Sequence, residues 1–164
     1  MMTRKKKFIV VLIVLGVLVG AYLKFRNPIN VAETNLTTED LPLRTRIYRV
    51  KGGHAEAKKI VEQIVPTLTT YQSAWRIVSH DNNPKAKLEA KNVGKESFVK
   101  AEVPVVFFTD DLQIRLSEGS TPDEVVVDVK SASRVGKSDF WENRRHIVQL
   151  LTALDEKFGA SNSK

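Results

Sequence analysis

The sequence predicts an α+β fold: an N-terminal transmembrane helix, then a mostly antiparallel sheet of about six strands with two helices on one face. Three observations carry this. An unbroken apolar run, FIVVLIVLGVLVGAYL, occupies residues 8–23. Apolar and polar residues alternate in several segments between residues 71 and 129, the period of a strand with one wet face. Two further segments, near 55–68 and 139–158, repeat their apolar positions at helical spacing.

The apolar run comes first. Its sixteen residues rise about 24 Å as a helix, against a hydrocarbon core of about 30 Å. Lys7 and Lys24 snorkel outward, and Tyr22 and Phe25 suit the interface, so the span is short but adequate. Arg4, Lys5, Lys6 and Lys7 precede it, which keeps the N-terminus cytoplasmic and puts everything after residue 26 outside. The competing reading is a cleaved signal peptide, with Val19-Gly20-Ala21 as its cleavage signature. The length of the run, and its continuation through Tyr22-Leu23, favour the uncleaved anchor. Gly16 and Gly20 form a small-xxx-small pair able to seat a second membrane helix.

Residues 27–43 contain two prolines and no usable period, and read as a linker to a domain over 44–158. Residues 44–50, RTRIYRV, form a strand ended by Gly52-Gly53. Ala57, Ile60, Val61, Ile64 and Leu68 then follow helical spacing until Pro66 ends or kinks the helix. Residues 71–79 alternate as a half-buried strand, the turn Asp81-Asn82-Asn83-Pro84 follows, and 85–93 alternate again. Residues 97–108 are strand-like, with Pro104 marking an edge or a bulge. Leu112, Ile114 and Leu116 share one face and Gln113 and Arg115 the other; Val125, Val127 and Val129 repeat the pattern after a turn at 119–123. The last helix carries a stripe of Phe140, Ile147, Leu150, Leu151, Leu154 and Phe158, with Asp139 as cap and Glu142 in capping-box position. Residues 159–164 form a polar tail that frays. The order is also compatible with a helix-grip arrangement, by analogy of fold alone.

Charge and composition exclude several functions. The chain has 26 basic and 19 acidic residues, a net +7. Six of the basic residues lie in residues 1–26, which hold no acid, so the rest carries 20 basic against 19 acidic. A near-neutral body lacks the footprint that nucleic acid requires. There is no cysteine, hence no disulfide, thiolate metal site or cysteine nucleophile. His54, His80 and His146 show no ligand spacing and read as surface or cap residues, so no metal and no cofactor is implied. Gly52-Gly53 is a turn signal rather than a phosphate loop, and Trp75 and Trp141 read as core or rim aromatics.

The densest polar segments are FTDDLQIRL at 108–116 and SASRVGKSDFWENRR at 131–145. On Phe108, Asp110-Asp111, the stretch from Ser131 to Gly136, Ser138-Asp139, Asn143-Arg144 and the Leu-rich helix after them, the chain resembles the domain-of-unknown-function 1499 family of bacterial and chloroplast proteins. The resemblance is strong over 98–154 and weak over 44–97. It departs in lacking the family's cysteine-containing opening, in Lys137 where an aromatic is usual, and in Phe140-Trp141 where Leu-Gly is usual. It implies a fold and an envelope or lumenal setting, and no mechanism.

The candidate cluster is Asp110, Asp111, Ser131, Ser133, Arg134, Ser138, Asp139, Asn143 and Arg144. Asp110 or Asp111 would pair with Arg134 as a partly buried, bidentate ion pair. Asn143, on the apolar stripe, would satisfy backbone groups of the 135–139 turn. Such a cluster locks the last strand to the last helix. Alternatively Arg134, Lys137, Arg144 and the helix N-terminus make an anion site. Adjacent aspartates on a strand face opposite ways and the serines have no nucleophile elbow, so no catalytic residue is assigned. The expected protein is a membrane-anchored accessory or interaction domain, held on the periplasmic side of the inner membrane by residues 8–23, with a membrane protein as a candidate partner. A carrier or sensor of a lipid or small anion, and a carboxylate-dependent hydrolase, stay open as alternatives.

Overall fold

A computed structural model of the chain describes residues 12–20, 30–78, 96–135 and 139–159. Residues 12–20, within the apolar run, are helical (α1); the rest of that run, and so its reading as a membrane span, lies outside the described residues. Among the described residues no helix is long and apolar enough to cross a membrane.

Three long strands form the body of the sheet: β6 (Glu96–Val105), β7 (Phe108–Glu118) and β8 (Glu124–Ser133). They pair antiparallel in sequence order. The outer edge of β8 is shared. β2 (Arg46–Arg49) covers residues 124–127, and β1 (Val31–Glu33) covers residues 130–132. β5 (Arg76–Ile77) pairs with Ala101 and Glu102 on β6, leaving Pro104, whose nitrogen cannot donate, beyond its reach. The described part of the expected linker, residues 30–43, is therefore no simple linker. Two strands of the sheet's edge flank the excursion 34–45, and Thr34 ties it down by accepting the Val129 N–H at 2.8 Å.

The alternation expected from the sequence sorts the two faces. Val99, Ala101, Val103, Leu112, Ile114, Leu116, Val125, Val127 and Val129 are buried on the inner face. α2 (Gly53–Ile64) packs there against β6, β7 and β8, and α3 (Glu142–Phe158) against β8, β1 and β2. Ile147, Leu150, Leu151 and Leu154 of α3 are fully buried, each contributing about 1.5–3 kcal/mol by leaving water. Both helices thus lie on one face, as the pattern demanded.

Three segments differ from expectation. Residues 71–79 do not form one strand. A tight hairpin, β3 (Thr69–Thr70) to β4 (Ser73–Ala74), turns on Tyr71 and Gln72 at φ 49° and 66°, which leaves Tyr71 exposed and Trp75 buried. The strand expected through residue 108 stops at Val105 and turns at residues 106–107. Phe140 is not on the helical stripe: it stands at φ 51°, exposed, before the helix starts at Glu142. The strand expected over 85–93 and the turn at 81–84 lie outside the described residues.

Gly53 opens α2 at φ +63°, where a Cβ would sit 2.6 Å from the Pro122 carbonyl oxygen. Both the left-handed backbone and the backbone neighbour resist a side chain. Gly53→Ala should lower the unfolding free energy by about 1–3 kcal/mol, read as a shifted urea midpoint with an unchanged slope.

Candidate functional site

Adjacent positions on β7 face opposite ways, and this separates Asp110 from Asp111. Asp111 lies on the outer face. Arg134, one residue past β8, donates to it through Nε at 3.0 Å and Nη2 at 2.6 Å, and through Nη2 to Glu102 at 2.7 Å. Glu102 also accepts Arg76 Nη2 at 2.9 Å. The bidentate pair therefore forms, but with Asp111 and in solvent: its side chains are 45% and 57% exposed. The expected partial burial does not occur, because β7 turns the buried aspartate away from Arg134.

The inner face carries a closed polar network. Asn143 is fully buried. Its Oδ1 accepts the Ser131 hydroxyl at 2.6 Å. Its Nδ2 donates to the Asn30 carbonyl at 2.8 Å, to Ser133 Oγ at 2.9 Å and to Asp139 Oδ2 at 2.6 Å. Asp139 caps the helix start, its two carboxylate oxygens accepting the N–H groups of Trp141 and Asn143 at 3.0 Å each. Glu142 does not close a capping box; it turns toward Tyr71, Arg145 and His146 instead. Asn143 thus serves side chains of β8, the Asp139 carboxylate and the Asn30 carbonyl; residues 136–138 of the turn it was expected to satisfy lie outside the described residues.

Beside this network lies a chain of titratable groups. His146 is 1% exposed. Its Nδ1 is 3.5 Å from Asp110 Oδ2, and its Nε2 is 3.6 Å from Glu142 Oε2. The ring meets Trp75 edge-on, with centroids 5.8 Å apart. Among the described residues neither imidazole nitrogen and neither Asp110 oxygen makes a hydrogen bond of normal geometry. At the outer end, Glu142 accepts the Tyr71 hydroxyl and Arg145. Burial raises the Asp110 pKa, against a smaller downward pull from the Ser133 hydroxyl. Burial, with the charge of Arg145, pushes His146 down to about 4, so the ring is neutral at pH 7. The surface or cap role expected of His146 is overturned: it belongs to the core.

The arrangement constrains chemistry. Asp110 and His146 are sealed, out of the reach that general acid–base catalysis requires of a substrate atom. Ser131 gives its proton to Asn143, so it is no imidazole-activated nucleophile. Asp110 and Glu142 address opposite nitrogens of one ring and do not converge; among the described residues no group of three ligands could hold a metal ion. The alternative, an anion site, falls only partly within the described residues. Arg134 is matched by Asp111 and Glu102, Arg144 by Asp40 through two bonds of 2.7 Å, and Asp139 occupies the helix N-terminus. Lys137 and Ser138 lie outside the described residues.

Sequence reasoning gave His146 and Glu142 other roles and passed over Tyr71, Asn30 and Asp40. His146 did leave a signal: it falls three residues after Asn143 and four before Leu150, on the buried stripe, and four after Glu142. Tyr71, Asn30 and Asp40 left none, since only the tertiary fold brings them to α3.

The family described as Protein of unknown function (DUF1499) matches residues 24–154, a stretch that holds the sheet, both packed helices' buried stripes and the whole polar cluster. No curated protein and no solved structure matches the chain.

Asn143→Ala would strand several buried polar groups, each worth about 1–3 kcal/mol, and should destabilise the protein far more than Arg134→Ala, whose exposed pair is worth about 0–1 kcal/mol. Paired chemical denaturation curves check the ranking. The depressed His146 pKa means that the unfolded chain binds a proton here which the folded one refuses. Stability from this group is full above about pH 6.5 and falls as pH drops toward about 4. The stability advantage of the parent over His146→Gln should therefore shrink across that window, by an amount on the order of 3 kcal/mol, measured by urea titration at successive pH values.

Proposed function

The chain belongs to the DUF1499 family of proteins of unknown function, and from that premise we propose that it is a membrane-tethered accessory domain working by interaction on the extracytoplasmic side of the inner membrane. The observation that carries this reading is the apolar run 8–23, preceded by Arg4, Lys5, Lys6 and Lys7 and followed by a body of nearly balanced charge. A non-catalytic role is supported by the burial of Asp110, His146 and Asn143 behind the start of α3. A ligand carrier would need unfilled space beneath α3, and there Ile147, Leu150, Leu151 and Leu154 pack with Val61 and Val65 in one apolar cluster.

A reporter enzyme that folds only outside the cytoplasm, fused after Lys164, should be active, and the fusion should stay with membranes through alkaline extraction. Activity in the cytoplasm overturns the orientation. A released product whose N-terminus lies near Tyr22 overturns the anchor.

A further inference from the structure

The two ends of the sheet differ in chemistry. At one end β7 and β8 are joined by 119–123, Gly-Ser-Thr-Pro-Asp, and none of the exposed large apolar side chains of the described residues lies in that turn. Five of them gather at the other end. The β6–β7 turn presents Val106 at 61% and Phe107 at 94% exposure. Val135, just beyond β8, is 65% exposed, and Phe140 and Trp141, just before α3, are about half exposed. The last two stand at φ 51° and 71°, a backbone region that bulky residues rarely adopt, and it carries both rings outside the core.

The N-terminal segment joins the domain at this same end. The Asn30 carbonyl accepts the Ser133 N–H at 2.9 Å, and Val31 pairs with Ala132. Only residues 24–29 separate Asn30 from the last residue of the apolar run, a connection spanning at most about 25 Å when fully extended. With the run in a bilayer, this end of the sheet stays within that distance of the membrane surface. Its composition suits the interfacial layer: an indole, two phenyl rings and two valines, with Lys24 and Arg26 in the connecting segment.

We propose that the end of the domain bearing Val106, Phe107, Val135, Phe140 and Trp141 rests in the lipid interface of the membrane that holds residues 8–23. The proposal rests on the tethered reading above and adds a second, reversible contact that fixes the domain's orientation. The sheet then stands with its apolar end down and the polar 119–123 turn pointing away.

Trp141 and Trp75 are the two tryptophans, and Trp75 is buried, so Trp141 reports on this end. The full chain is reconstituted into vesicles of phosphatidylcholine and phosphatidylglycerol, with the phosphatidylcholine plain or brominated near the top of its acyl chains. Bromine should quench the Trp141 share of the emission and leave the Trp75 share. Trp141→Phe should abolish the quenchable component. Phe107→Asp, at an exposed position where folding is not at stake, should reduce it. Protein that floats with the vesicles but emits equally in both overturns the lipid contact and leaves the tether standing. Protein that does not float with them overturns the tether, and the docking with it.

Discussion

The Asn143 carboxamide is the interaction on which the rest of the structure depends. It joins the entry of the N-terminal segment at Asn30, the end of β8 at Ser131 and Ser133, and the cap of the last helix at Asp139. In a fully buried site each of these groups would be costly to leave unmade, and none is. By fixing Asp139 the amide fixes where α3 starts. That in turn sets which side chain, one turn later, comes beneath Asp110, and the residue there is His146.

Asp110 and Asp111 show how strongly one peptide step changes electrostatic setting. Asp111 shares Arg134 with Glu102 in solvent, in a ladder reaching Arg76, where water and salt screen each pair. Among the described residues Asp110 is paired with no lysine or arginine, and stands against an imidazole that burial keeps neutral. The outer ladder gives the sheet a hydrated face. The inner pair is held by the surrounding packing rather than by its own attraction, since desolvation works against either charge. The domain thus seals Asp110 and His146 while Phe107, Phe140 and Trp141 stand exposed at one end of the sheet.

Much of the fold was legible in the letters. The period-2 pattern of Leu112, Ile114, Leu116 and of Val125, Val127, Val129 put the right residues inside, and the stripe of Ile147, Leu150, Leu151 and Leu154 faced the sheet as its spacing required. The candidate cluster was legible as a location, less so as a network. Ser131, Ser133, Asp139 and Asn143 do meet, but Arg144 leaves them for Asp40, and Arg134 stays outside with Asp111. Residues 31–33 gave no strand signal, because three residues are too few to show a period; they pair because β8 offers an uncovered edge there.

By itself the sequence determined which face each residue of the long strands and the last helix presents, since alternation and helical spacing are local and follow from backbone geometry. It determined the apolar run and the electrically balanced body after it. Only the tertiary structure decided the distant partners: Asp111 rather than Asp110 for Arg134, the Asn30 carbonyl for Asn143, Tyr71 for Glu142. Only it gathered Val106, Phe107, Val135, Phe140 and Trp141 at the end where the chain enters. The physical reason is that a side chain's face is set by its neighbours in the chain. Its partner is set by the register of segments that lie as far apart as Asn30 and Asn143, which the pairing of the whole sheet settles at once.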